Sequence, residues 1–259
     1  MNKIARRLLF TAALAMIVVP GVWLGTTFWQ YYQADKEYTA LESEYTAVET
    51  QVSQSAASGS GQTDTFTLRS IDWAALREQN PEIVGWVEVD AIESLSYPIV
   101  QHEDDSYYLD HSYLGAQNTS GAIFMEAANN GDFSDAHTIV YGHNMKSGKM
   151  FGSLKKFADE AFYRQHGGGI TLYTPDGVYR YRIFSAEYVG DTDPNVYTIG
   201  YAHDESYLAF IQKMAERSLY DTGTTLSADS QVMTLSTCSY NEATRFVVHA
   251  VLEYKVETE

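Results

Sequence analysis

Three short stretches of the chain hold side chains that can make and break an amide bond. The first is Thr234-Leu235-Ser236-Thr237-Cys238-Ser239-Tyr240, which contains the one cysteine of the sequence. A thiolate attacks an amide carbonyl, and a neighbouring cation favours the thiolate over the thiol. The second is Tyr141-Gly142-His143-Asn144-Met145, whose imidazole can protonate a leaving amine and later deprotonate an incoming one. The third is Arg245, seven residues after Cys238. A guanidinium stays charged near neutral pH, so it serves as a hydrogen-bond donor for an oxyanion or a substrate backbone, never as the base. A single Cys with a His elsewhere is by itself only a candidate for nucleophilic catalysis. A lone thiol is more often a packing residue, so the weight rests on where the chain puts these three.

Their positioning elements read mainly as strands. QVMTLSTC and TRFVVHAVLEYKV form two β-branched runs joined by a short loop, so a hairpin brings Cys238 and Arg245 to adjacent strand ends. HTIVYGHN is a strand that ends at His143, although spacing alone does not bring it to Cys238. IVGWVEV, YPIV and GAIFME are further short strands. GITLYTPDGVYRYRIFSAEYV is a hairpin about Pro175-Asp176-Gly177. Helical patterns cover residues 70–80 with Ser70 as cap, 152–161, and 205–219, where Leu208, Ile211, Met214 and Ala215 share a face. Many short strands with a few inserted helices predict a closed or nearly closed β-barrel.

The amino end differs. Leu8 to Trp29 is a 22-residue run without a charged side chain, preceded by Lys3, Arg6 and Arg7. At about 1.5 Å per residue it can cross a hydrocarbon core of roughly 30 Å, and the basic flank places the N-terminus in the cytoplasm. An uncleaved anchor is expected, not a cleaved signal peptide, with Pro20 kinking the helix. Tyr31, Ala34, Tyr38, Leu41, Tyr45, Val48 and Val52 then repeat at alternating spacings of three and four. That is the seam of a short coiled coil or of one amphipathic stalk helix. SQSAASGSGQTD reads as a flexible linker. The expected division is a basic end at 1–7, a transmembrane anchor at 8–29, a helical stalk at 30–52, a linker at 53–65 and a catalytic domain at 66–259. The net charge is −17, and all three cations of residues 1–29 lie outside that domain, so its surface is more acidic still. Such a surface disfavours nucleic acid as a partner.

TLSTC matches the sortase signature TLxTC, with an Arg on the next strand, and YGHN matches that family's histidine segment in the same His, Cys, Arg order. IDWAALREQNPEIVGWVEV, YPIVQHEDDSYYLDHSYLG and GAIFMEAANN are similar to elements of class B. So is the helix-bearing insertion between YRIFSAEYV and QVMTLSTC, and the resemblance spans residues 68–256. It implies an eight-stranded sortase barrel in a Gram-positive bacterium. It also implies a transpeptidase that cleaves a C-terminal sorting motif of secreted proteins after Thr, forms a thioacyl intermediate on Cys238, and passes the protein to a peptidoglycan-precursor amine of lipid II type. By carry-over Cys238 is nucleophile, His143 general acid/base and Arg245 oxyanion and substrate donor. Thr237, Tyr240, Asn144, Tyr197 and Ile199 are expected at the substrate. A single-pass membrane protein with an external catalytic domain follows.

The remaining histidines have bland readings: His102, His111, His137, His166 and His203 in solvated loops, His249 on a barrel face. No HExxH spacing occurs, Glu103-Asp104-Asp105 reads as a solvated loop before a calcium site, and Gly167-Gly168-Gly169 lacks the setting of a phosphate loop, so neither cofactor nor metal is expected. Rival readings are a papain-like peptidase, whose Cys precedes its His, and a tethered binding domain, which leaves the three strand-end residues unexplained. A pilin-polymerising class B enzyme stays open.

Overall fold

The structure is a computed structural model, and it describes residues 3–55, 63–238 and 243–256. Helix α1 (Lys3–Tyr45) leads to a two-stranded hairpin of β1 (Thr46–Ser55) and β2 (Thr63–Ile71). The short α2 (Trp73–Gln79) follows, capped by Asp72, whose carboxylate accepts from Ala75 N at 3.0 Å; the cap is not Ser70. The barrel strands are β3 (Ile83–Val89), β4 (Ser96–Val100), β5 (Ile123–Met125), β6 (His137–His143), β7 (Gly169–Thr174), β8 (Gly177–Gly190), β9 (Val232–Cys238) and β10 (Thr244–Lys255). They close in the order β10-β8-β7-β3-β4-β5-β6-β9, eight strands in one barrel, as the sequence predicts. Two pairs, β4 with β5 and β6 with β9, are parallel. Between β6 and β7 lie a 3-10 turn (Gly152–Ala158) and α3 (Glu160–His166). Between β8 and β9 lie α4 (Pro194–Tyr197) and α5 (Glu205–Arg217).

Alternation sorts the side chains. On β9, Met233 and Leu235 enter the main core, and on β10 Phe246, Val248 and Ala250 join them. Val232 and Val251 face outward against Phe210, Ile211 and Met214 of α5, and Val247 faces outward against Val196 of α4. The insertion therefore roofs the outer face of β6, β9 and β10. It is held there by buried polar groups. His137 Nε2 bonds Thr234 Oγ1 at 2.7 Å, and His137 Nδ1–H donates to Thr198 O at 3.0 Å. Thr234 also bonds His249 at 2.8 Å, and Arg217 pairs with Glu187 at 2.8 Å and Asp193 at 2.6 Å. His137 is thus a fully buried brace and not a solvated loop residue, because it sits at the first position of a barrel strand beneath the insertion.

The amino end departs from expectation in two places. The stalk helix stops at Tyr45, and residues 46–55 pair with 63–71. Thr46, Val48, Thr50 and Val52 alternate β-branched residues every second position, which favours a strand over the helical seam that Val48 and Val52 also fit. The expected linker at 53–65 thereby falls partly in two paired strands, while residues 56–62 lie outside the described residues. The seam is also used within the chain: Leu41 is buried among Leu76, Trp86 and Tyr108, and Tyr38 packs on Tyr97 and Tyr113. The sequence predicts a span at 8–29, but among the described residues no helix is long and apolar enough to cross a membrane. Gly21, Gly25 and Thr26 dilute the run, and Phe10, Met16, Ile17 and Val19 stay exposed on it.

Burial pushes the His137 imidazole down to about 4. An unfolded His binds its proton near 6.5, so between those values the unfolded chain holds more protons and stability falls as pH falls. The melting temperature is expected to drop between pH 7 and pH 4.5. His137→Gln should flatten that dependence, removing on the order of 1–3 kcal/mol of acid sensitivity. Parallel melting curves for both proteins check it.

Candidate active site

The parallel pairing of β6 with β9 sets His143 directly opposite Cys238, and laterally paired residues share a face of the sheet. Asn144 N–H donates to Cys238 O at 2.8 Å, extending the ladder past the strand end. Gly142, one step back, faces inward, where an added Cβ would collide with Ile123 and Phe151, so the histidine strand can lie this close only with glycine there. The β9–β10 register sets Val247 opposite Ser236, which brings Arg245 to the Cys238 end. Cys238, His143 and Arg245 line one cavity of about 330 Å³ with Asp105, Leu109, Phe124 and Tyr141.

His143 has a defined tautomer. Its Nε2 lies 2.6 Å from Leu109 O, and a carbonyl only accepts, so Nε2 carries a proton. Nδ1 is then the nitrogen whose lone pair is left to accept a hydrogen bond or a proton. Burial pushes the Cys238 thiol up to about 11, while Arg245 and a backbone hydrogen bond at Gly142 pull it down and Asp105 pushes it up. The resting sulfur is therefore a thiol at neutral pH, poised between a guanidinium and a carboxylate. Behind Asp105, burial and the Asp105 carboxyl raise the Glu126 carboxyl, whose Oε2 accepts from Tyr141 OH at 2.7 Å.

The residues expected at the substrate divide. Tyr197 stacks on Tyr141 at 6.3 Å and shares a 2.9 Å hydrogen bond with Ser236 Oγ, so the inserted loop closes one side of the site. Asn144 contributes its backbone tie, and Ile199 is half-buried in the same loop. Thr237 does not line the cavity: alternation turns it away from Cys238, and its Oγ1 accepts from Phe246 N at 2.9 Å. Tyr240 lies outside the described residues. Sequence reasoning does not reach Leu109, Phe124, Tyr141 or Ser236 as site residues, and it leaves Asp105 in a solvated loop. Ser236, two residues before Cys238 on the same strand, is legible from period two alone. Asp105 is not legible, because only the assembled sheet brings the loop after β4 to the end of β9.

The sortase-domain family profile matches residues 87–253. A sortase B of Listeria monocytogenes is 34% identical over 63% of this chain and 65% of its own length. One of Staphylococcus aureus is 30% identical over 67% of this chain and 71% of its own. Among solved structures, a Bacillus anthracis sortase B in complex with AAEK1 is similar at a TM-score of 0.72 and 35% identity, covering 87% of this chain and 99% of that one. A Staphylococcus aureus sortase B–substrate complex is similar at 0.67 and 28% identity, over 71% of this chain and 85% of that one. The fold and these likenesses define a cysteine transpeptidase of the sortase type. The chain belongs to the sortase family, in its class B branch.

The opposing influences on the thiol give a signed expectation. Removing the Asp105 charge in Asp105→Asn favours the thiolate, so iodoacetamide should alkylate Cys238 severalfold faster at pH 8. Arg245→Ala should slow the same reaction. Both follow from alkylation rates measured across pH, because rate tracks thiolate fraction below the pKa.

Proposed function

We propose that the chain cleaves a C-terminal sorting signal of secreted proteins after Thr and transfers the carboxyl end to an amine of a cell-wall precursor. The observation that carries this is the meeting of the one cysteine with His143 and Arg245 in a single cavity. The Cys238 thiol passes its proton to Nδ1 of His143 as the substrate arrives, and sulfur bonds to the Thr carbonyl carbon. Arg245 donates to the oxyanion that forms. His143 gives a proton to the departing nitrogen as the C–N bond breaks, leaving a thioester. An incoming amine gives its proton to His143, attacks the same carbon and expels the thiolate, which takes that proton back from His143. A sortase B is known in complex with triglycine, which supports an amine-bearing peptide as acceptor in this branch.

The same reading includes an anchor in the cell membrane, with the amino end in the cytoplasm and the barrel outside. Its support is the 22-residue charge-free run behind Lys3, Arg6 and Arg7, and the large apolar side chains exposed along α1. Protease added to intact protoplasts is expected to remove the domain. Protection of the domain, or its release into the medium, would refute the anchor.

Peptides bearing Thr-Gly and Thr-Asn bonds test the chemistry. Cys238→Ala is expected to abolish cleavage, and His143→Ala to lose about 10²–10⁴-fold. Arg245→Lys keeps charge but not the planar fork, so turnover should fall on the order of 10²-fold with folding retained. Turnover by Cys238→Ala would end the proposal. Near-normal kcat/KM in a folded Arg245→Lys would remove that residue from it.

A further inference from the structure

The end of α1 docks on the residues that hold the catalytic histidine. Tyr38 OH donates to Gly121 O at 2.9 Å. Its ring sits edge-on to Tyr97, centroids 5.4 Å apart, and tilted on Tyr113 at 5.5 Å. Gly121 is the floor under His143. Its φ is +60°, and a Cβ there would lie 2.9 Å from His143 Cδ2, 2.6 Å from Tyr108 O and 2.9 Å from Leu109 O. That same Leu109 carbonyl accepts the His143 Nε2 proton. Tyr97 leads to the histidine by a second route. Its hydroxyl accepts from Met150 N at 3.2 Å, Met150 bridges Asn144, and the next residue, Phe151, donates its N–H to His143 O at 3.1 Å.

Tyr38 thus touches both supports of His143, the glycine beneath its ring and the tyrosine that braces its backbone. A helix packed on the barrel only for stability has no need of a hydroxyl aimed at that carbonyl. Leu41, one turn on, already supplies a buried apolar contact. We propose that Tyr38 is a positioning residue for His143, so that the membrane-proximal helix is part of the catalytic apparatus. This rests on the reading of His143 as the acid/base group. In the free barrel the ring and the Leu109 carbonyl would hold their hydrogen bond for a smaller fraction of the time. Proton transfer needs that alignment, and small misplacement costs rate more than it costs binding.

The test uses the full chain in detergent, labelled with 15N-histidine. The Nε2 proton signal of His143, assigned by its loss in His143→Gln, reports the hydrogen bond to Leu109 without any substrate. Tyr38→Phe keeps the three rings packed and removes the hydroxyl's bond to Gly121; Tyr38→Leu removes the ring packing as well. Expected are solvent exchange of that proton faster by on the order of tenfold, and kcat for the Thr-Gly or Thr-Asn peptide lower by a similar factor. KM should stay within about twofold, and the histidine limb of the kcat–pH profile should move. Wild-type exchange and wild-type kcat in both folded variants would overturn the proposal. So would faster exchange with kcat and pH profile unchanged while His143→Ala is inactive. Retained turnover in His143→Ala would instead sink the acid/base role, and the exchange rate would still decide whether Tyr38 holds the ring. Should Tyr38→Leu fail to fold, Tyr38→Phe decides.

Discussion

The parallel ladder between β6 and β9 is the interaction on which the site depends. Parallel strands cannot be joined by a tight turn, so His143 and Cys238 come from segments almost a hundred residues apart, and only register makes them neighbours. A slip of either strand by one residue would send its side chain to the wrong face and part the pair. The chain guards against this with several independent ties: the Asn144–Cys238 backbone bond beyond the strand end, the inward glycine at 142, and the His137–Thr234 bond at the other end of the same two strands. These contacts are buried or strand-bound, which gives Cys238 and His143 one fixed separation instead of a range.

Burial sets the second constraint. A thiol packed this deeply resists ionisation, and the cavity offsets that with a guanidinium and a backbone donor on one side while Asp105 opposes them on the other. The balance keeps the sulfur protonated at rest. A neutral thiol is less exposed to oxidation and metal capture than a standing thiolate. Activation then depends on what the substrate brings and on where His143 and Arg245 are held.

Both peripheral additions to the barrel press on that holding structure. The insertion carrying α4 and α5 is bound through His137, Arg217 and Glu187, and it delivers Tyr197 to the edge of the cavity. On the other side, α1 ends against Gly121 and Tyr97. Cys238, His143 and Arg245 lie on the outer face of β6, β9 and β10, and the loop after β4 adds Asp105 and Leu109 to the cavity they line, where burial gives a single arginine or carboxylate leverage.

Much of this was legible from residues alone. TLSTC, YGHN and Arg245 name the chemistry, and hydrophobic alternation gives the barrel strands, the Pro-Asp-Gly hairpin and the α5 face, because strand and helix periods are local properties of the chain. Alternation also contained the exclusion of Thr237 and the inclusion of Ser236, since every second residue of a strand shares a side. Three things lay beyond local pattern. The heptad seam carries a helix to residue 52 while the β-branched alternation from 46 favours a strand, and pairing with β2 fixes the strand. The partner of Tyr38 and Leu41 is the barrel itself, a contact that heptad spacing cannot distinguish from a second helix. Asp105, in an acidic loop that reads as solvated, reaches the thiol because barrel closure folds that loop over the site. Periodicity along one chain says which residues share a face, but what lies across from that face is set by closing the sheet, and that is a property of the whole fold.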